Sequence, residues 1–316
     1  MKIRVFLISF FLSLPFWWAI NLFQKNLENY FYAQISQPFQ KISEIKIPEK
    51  PNLELQARAA ISVKIRETGK QKILFKKNIN QPLPIASLTK LMTGIIVLEN
   101  YDLENTLITI SKTAANQENV PNYGNLDKEV GKKFNVKQLL DLMLIYSSND
   151  AAWALAEVIG RHPPTTLPAE SGAPENFVEK MNQKAEDLGL ENTNFLNPHG
   201  LDPDEIRYSP ETLNYFNYST ARKLVKIAQY ILKEHPLIFE ISKKEPFYLI
   251  EDGIFDLFLT QEIVGGKTGD TDEAGGCILF IFRNERGSFF INLILGAPSA
   301  SIRIEEMQKL IDWLIP

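Results

Sequence analysis

What most constrains the fold is where strand-forming sequence lies. "ARAAISVKI" at 57–65 and "QKILFKK" at 71–77 flank the turn "RETGK" and read as a hairpin. The same signal returns only near the end of the chain, in "EIVGGKTG", "GCILFIF" and "SFFINLIL", with "RNERG" as a further turn. Between these ends come helical stretches: 87–99, "NVKQLLDLMLIY", "DAAWALAEVIG", "ENFVEKMNQKAEDLG" and "TARKLVKIAQYILKEH". "RIEEMQKLIDWL" then closes the chain. The layout this implies is α+β: an antiparallel sheet formed by both ends of the domain, an inserted helical region, and a last helix packed on the sheet.

The first residues fall outside that pattern. Lys2 and Arg4 precede an uncharged, mainly apolar run from Val5 to Phe23, long enough for the roughly 20 residues of a membrane-spanning helix. No small-residue cleavage pattern follows, and Trp17 and Trp18 suit a membrane interface. Residues 1–23 are expected to be a membrane anchor with a cytoplasmic N-terminus, a cleaved secretory signal being the alternative. Both place the remainder outside the cytoplasm. Residues 24–56, with prolines at 38, 48 and 51 and no sustained period, read as a tether, and 57–316 as one domain. The Pro-rich 161–175 reads as a surface loop.

Charge and cysteine content exclude other classes. The net charge is −4 and no long Lys/Arg block occurs, so nucleic acid is not an expected partner. The single cysteine, Cys277, sits in an apolar run and is expected to be a buried hydrophobe rather than a reactive thiol. The three histidines, His162, His199 and His235, are dispersed without metal-ligand spacing, and no metal or cofactor is expected. His199 in "NPHG" is expected to shape a turn.

One lysine is out of place. In "PIASLTKLMTG" a helix beginning near Ser87 has Leu88, Leu91, Met92, Ile95, Ile96 and Val97 around most of its circumference, the pattern of a buried helix. Lys90 lies three positions after Ser87, stacked over the serine's turn. Desolvation disfavours the ammonium form, so an enclosed Lys90 is positioned to take the Ser87 proton and make a nucleophile. Two further strings complete a constellation. "SSN" at 147–149 stands between two apolar helices, where side chains can project into a cleft, and "KTG" at 267–269 lies on a strand suited to pairing with an extended peptide.

Ser-x-x-Lys, Ser-x-Asn and Lys-Thr-Gly in this order resemble the active-site motifs of penicillin-recognising serine enzymes. "PIASLTKLMT", "SSNDAA", "NTNFLNPHGLD", "YSTARKLVKIAQYIL", "GGKTGDTDEAGGC" and "LGAPSASIR" narrow the likeness to serine D-alanyl-D-alanine carboxypeptidases, the low-molecular-mass penicillin-binding proteins. The resemblance implies a β-lactamase/transpeptidase-like fold over 57–316. It implies as substrate a peptidoglycan stem peptide, from which the terminal D-alanine is removed through an acyl-enzyme on Ser87. β-Lactam antibiotics are implied as covalent inhibitors. Lys90 would be the base, Ser147 would relay a proton to the leaving amine, and Asn149 would bond the substrate backbone. Lys267, Thr268 and Arg303 would hold the terminal carboxylate. The N–H groups of Ser87 and of Asp270, which follows Gly269, would hold the oxyanion.

Some positions depart from the family's pattern. Asp270 replaces a common tyrosine or histidine and puts a carboxylate near the site of a carboxylate-bearing substrate, "GNLD" at 124–127 replaces a "GSSM"-like string, and 203–216 is longer than usual. The related alternatives are a D,D-endopeptidase cutting peptidoglycan cross-links and a catalytically weak, membrane-tethered wall-binding or sensing protein. A class A β-lactamase is disfavoured: Glu175, Glu179, Glu186 and Glu191 are followed four residues on by Glu, Gln, Leu and Phe, not by the required asparagine.

Overall fold

The computed structural model describes residues 15–27, 52–118, 124–160, 173–244 and 261–315. The chain divides into two units, Met1–Asn52 and Leu53–Pro316. In the first, residues 15–27 form helix α1 with every side chain exposed, Trp17 and Trp18 included. No helix among the described residues is long and apolar enough to cross a membrane. Residues 1–14 of the expected anchor, most of the tether and residues 161–172 of the Pro-rich stretch lie outside the described residues.

The second unit is built on a five-stranded antiparallel sheet in the order β2-β1-β9-β8-β7. Its strands are β1 (Ala59–Ile65), β2 (Gln71–Lys77), β7 (Glu262–Gly269), β8 (Gly276–Arg283) and β9 (Phe289–Ala297). β1 from the start of the unit lies against β9 from its end, Ala59 opposite Leu295 and Ile65 opposite Phe289. The expected sheet from both ends is therefore present.

Two cores sandwich the sheet, and the alternation of side chains along each strand divides them. On one face Ile278, Phe280 and Phe282 of β8 pack with Met307, Leu310 and Ile311 of the closing helix α8 (Ala300–Leu314). On the other, Cys277, Leu279 and Ile281 face the inserted helical region. A strand buried on both sides reads as an unbroken apolar run, which is why "GCILFIF" lacks alternation.

The insertion holds α2 (Lys90–Asn100), α3 (Val136–Ile145), α4 (Asn149–Ile159), α5 (Ala173–Asp187), α6 (Ala221–Glu234) and α7 (Leu237–Ser242). Capping fixes where several begin. Asn135 and Gln138 form a reciprocal capping box on α3, and Thr220 accepts the Lys223 N–H at the start of α6. Two short antiparallel pairs lie among these helices: β3 (Leu83–Pro84) with β6 (Tyr218–Ser219), and β4 (Leu107–Thr109) with β5 (Lys133–Asn135).

Candidate active site

The helix carrying Lys90 starts differently from the sequence expectation. Ala86–Thr89 form a 3-10 turn, and α-helical geometry begins only at Lys90. The tighter turn has three residues per revolution, so residues three apart eclipse and Ser87 lies directly in line with Lys90. Ala86, just before Ser87, sits at φ 46°, a left-handed conformation sparsely populated outside glycine. The main chain is held there by the Ile85 N–H donating to the Asn217 carbonyl at 3.1 Å and the Leu88 N–H donating to the Ile85 carbonyl at 3.1 Å.

Lys90 is fully buried. Its Nζ donates to Ser87 Oγ at 2.8 Å, Asn149 Oδ1 at 2.6 Å and the His199 carbonyl at 2.8 Å. No carboxylate is among these partners. Burial, with the neighbouring Lys267 charge adding to it, holds the Lys90 pKa well below the usual lysine value. Asn149 and the carbonyl offer only acceptor oxygens to the amine. As an ammonium the group donates to all three oxygens; in its neutral form two N–H bonds satisfy Asn149 and the carbonyl, and the lone pair is left for the Ser87 hydroxyl.

"SSN" is the joint between α3 and α4. Ser147 is at φ 58°, Ser148 is the N-cap of α4, with its Oγ accepting the Ala151 N–H, and Asn149 is the first helical residue. This kink sends alternate side chains in different directions: Asn149 inward to Lys90, with its Nδ2 on the Glu118 carbonyl, and Ser147 across to β7.

β7 is an edge of the sheet and carries "KTG". Lys267 is 3% exposed and donates to Ser147 Oγ at 2.9 Å and to the Thr268 carbonyl at 2.9 Å. Burial, then repulsion from Arg303, lowers its pKa to about 7. Thr268 is half-buried on the same strand. Gly269 meets the Ala86–Thr89 turn so closely that a Cβ would stand 2.9 Å from the Ser87 nitrogen. Arg303, on the first turns of α8, donates from Nη1 to the Gly269 carbonyl at 2.8 Å and lies 3.7 Å from Asp270. The Arg303 side chain is only 12% exposed, whereas that of Asp270 is 50% exposed, so the pair spans the buried edge and the open mouth of the site. Burial raises the Asp270 pKa, against the opposing pull of Arg303.

The sequence reading missed the loop that closes the site behind Lys90. Asn217 is buried, accepts the Leu196 N–H at 2.7 Å and donates to the Asn197 carbonyl at 2.8 Å and Thr89 Oγ1 at 3.1 Å. Thr93 donates to the Pro198 carbonyl at 2.6 Å. Gly200, at φ +90°, passes so near the Ala86–Thr89 turn that a Cβ would clash with the Ala86 carbonyl oxygen. His199 shapes a turn as expected, its Nδ1 accepting the Leu201 N–H at 3.1 Å, while its carbonyl reaches Lys90. Stacked on Trp153 and buried, the ring is kept neutral, with a pKa lowered to about 3 by desolvation and then by the Lys90 charge. A backbone acceptor leaves no side-chain signature, so only the "NPHG" turn residues could have signalled it.

Ser87, Ser147, Asn149 and Asp270 line a cleft of about 530 Å³ whose other wall is formed by residues 201–207 and 271–273. No group of three or more histidine, cysteine or acidic side chains among the described residues is arranged to hold a metal. Cys277 is buried, and its thiol pKa is pushed up to about 11 by desolvation.

Comparison with known proteins agrees with this geometry. Residues 45–299 match the family described as D-alanyl-D-alanine carboxypeptidase. The chain is 32% identical to the D-alanyl-D-alanine carboxypeptidase DacF of Bacillus subtilis, over 82% of this chain and 62% of that protein. It therefore spans about three fifths of that relative's length. It is 29% identical to the D-alanyl-D-alanine endopeptidase of Pseudomonas aeruginosa, over 84% of this chain and 81% of that one. A penicillin-binding protein of Listeria monocytogenes, solved in its cefotaxime-bound form, superposes with a TM-score of 0.63 at 28% identity, covering 83% of this chain and 98% of that one. The α+β architecture is thus the penicillin-binding, transpeptidase-type fold, and the chain belongs to the D-alanyl-D-alanine carboxypeptidase family of serine peptidases.

Proposed function

We propose that this protein is a serine D,D-carboxypeptidase that removes the terminal D-alanine from peptidoglycan stem peptides outside the cytoplasm, tethered to the membrane through its N-terminal segment. The observation that carries this reading is the buried Lys90 amine, 2.8 Å from Ser87 Oγ and without a carboxylate partner. The neutral amine accepts the Ser87 proton as Oγ attacks the carbonyl between the two D-alanines, with the Ser87 and Asp270 N–H groups receiving the oxyanion. Ser147, bridged to Lys267, gives its proton to the departing amine as the bond to D-alanine breaks and receives the Ser87 proton from Lys90 in exchange, which returns Lys90 to its neutral form. Lys267, Thr268 and Arg303 hold the terminal carboxylate, and Asn149 orients the substrate backbone. Water then attacks the acyl-enzyme, with Lys90 again taking the proton, and releases the shortened peptide. None of these steps calls on a cofactor. β-Lactams acylate Ser87 in the same way, and the homologous Listeria protein was solved with cefotaxime and with ampicillin bound.

The test is labelling with a fluorescent penicillin: covalent labelling of the wild type, absent in Ser87→Ala and strongly slowed in Lys90→Met, is expected. An unlabelled wild type would mark a wall-binding or sensing protein instead. A second reading, cleavage of cross-links, is favoured by the likeness to the Pseudomonas endopeptidase over most of both chains. Mass analysis of digested cell wall separates the two, since the carboxypeptidase leaves peptides one alanine shorter and the endopeptidase converts cross-linked dimers to monomers.

A further inference from the structure

The Lys90 amine is held between two acceptor oxygens, and only one of them belongs to a group that can turn round. Asn149 presents Oδ1 to Lys90 and Nδ2 to the Glu118 carbonyl. A carbonyl only accepts, so the Glu118 contact decides which end of the amide faces the lysine. A reversed amide would aim N–H donors at the amine. They would oppose its ammonium form, and in its neutral form they would take the lone pair that Ser87 needs.

What fixes Glu118 comes from the next residue along α4. Asp150 is 1% exposed, and its carboxylate accepts the Gln117 N–H at 3.2 Å with one oxygen and the Leu126 N–H at 2.7 Å with the other. It pins two separate points of the chain, one of them adjacent to Glu118. Its place in the first turn of α4 suits a negative charge, which the helix dipole favours there. Ser148 adds a third tie by donating to the Gly124 carbonyl, and Gly124 comes so near that a Cβ would stand 2.8 Å from that of Ser148. From this arrangement we infer that Asp150 is a positioning residue for the serine chemistry: by fixing Gln117 and Leu126 it keeps the Glu118 carbonyl on Asn149, and so keeps an acceptor rather than a donor on Lys90. The consequence for rate rests on the proposed function, whereas the orientation of the amide does not. The other groups facing Lys90 are Ser87, the His199 carbonyl beside its neutral ring, and the charged Lys267 of β7. Of these neighbours only the amide exchanges an acceptor for a donor by turning.

The test follows the Lys90 titration by NMR in the full-length protein carrying 13C-labelled lysine, with Lys90→Met to assign the signal. Asp150→Asn keeps the size of the side chain but replaces one acceptor oxygen by a donor, so one anchor is lost. The Lys90 midpoint is expected to fall by about one pH unit, and acylation by penicillin to slow about tenfold at neutral pH. In an Asn149→Ala background the same replacement is expected to leave the midpoint in place and to slow acylation less than about twofold, because the amide that carries the effect is gone. An unchanged midpoint in Asp150→Asn, a midpoint that rises, or a full shift without Asn149 would each overturn the inference. If Asp150→Asn does not fold, Ser148→Ala, which frees the Gly124 tie, is read in the same way, and an unchanged midpoint there overturns it too. A wild type that penicillin does not label would count against the proposed function alone, since the midpoint shift needs no acylation.

Discussion

Lys267 on β7 and Ser147 ahead of α4 stand 120 residues apart in sequence and are joined by a 2.9 Å hydrogen bond, with Ser147 lining the cleft and Lys267 buried behind it. The bond ties the strand side of the site to its helical side. The lysine that makes it is close to losing its proton at neutral pH.

That proximity sets a pH dependence. If the Lys267 ammonium holds the substrate carboxylate, kcat/KM reports its ionisation in the free enzyme and declines as pH rises through about 7. Arginine stays protonated throughout this range. Lys267→Arg is therefore expected to lower the maximum and move the alkaline limb to higher pH, measured by D-alanine release across pH 5 to about 10.

Stability carries the same signature with a definite sign. Lys90 and Lys267 both have folded pKa values below the ordinary 10.5. Between the folded and unfolded values the unfolded chain binds more protons, so unfolding free energy rises with pH across that window, from about 7 toward 10.5 for Lys267. Urea midpoints at successive pH values should increase in the wild type and increase less steeply in Lys267→Met.

Asn217 holds the loop behind Lys90 through five hydrogen bonds: from the N–H groups of Leu196 and Asn197, and to the Asn197 carbonyl, Asn197 Oδ1 and Thr89 Oγ1. Replacing it by alanine leaves buried polar groups without partners, at a cost of about 2–3 kcal/mol. It also frees the His199 carbonyl to move from the amine. Asn217→Ala is expected to lower the urea midpoint and to slow acylation by penicillin by about tenfold, with Asn217→Asp less damaging than alanine.

Two glycines with positive φ provide a matched comparison. In Gly200→Ala the new methyl meets the Ala86 carbonyl at 2.0 Å, whereas at Gly69, φ +78°, nothing lies within 4 Å. Gly69→Ala is expected to cost about 1 kcal/mol, the conformational strain alone. Gly200→Ala is expected to cost about 3 kcal/mol or more and to suppress penicillin labelling, because its backbone clash falls on the nucleophile turn.

Asp270 lies 3.7 Å from Arg303, where on the proposed function it would compete with the substrate's terminal carboxylate. Asp270→Asn removes the competing charge while keeping its shape and main-chain N–H. The expected result is a KM for D-Ala-D-Ala peptides lowered about threefold to tenfold with little change in kcat, and the opposite shift in KM for Arg303→Ala. Steady-state kinetics on one peptide decide it.

Much of this was legible because the decisive features are local. Strand signals at both ends point to the sheet, and the unbroken apolar run of β8, with β9 interrupted only by Asn292, reflects burial on both faces. Ser87 and Lys90 on one face, and the joint at Ser147–Asn149, follow from spacing. The structure brings Ser87, Lys90, Ser147, Asn149, Lys267 and Asp270 into one neighbourhood, with Arg303 behind Gly269. The 3-10 turn at Ala86–Thr89 was invisible because distant groups impose it: the Asn217 carbonyl, and Gly200 against Ala86. The two- and three-residue strands β3 to β6 were illegible for a similar reason, being too short to show a period. The acidic wall opposite Ser87 combines residues 202–205 with 270–273, which nothing local relates.

The pairing of β1 with β9 has a consequence for biosynthesis. Ser62 on β1 donates a hydrogen bond to Asn292 on β9, a contact spanning 230 residues. A ribosome-bound chain ending before Phe289 lacks the central strand and leaves β1 and β8 without their shared neighbour. Contacts of such long range form slowly. Assembly must therefore wait until the polypeptide is almost complete, and a prematurely terminated product cannot dock β1 against β8 through their common partner.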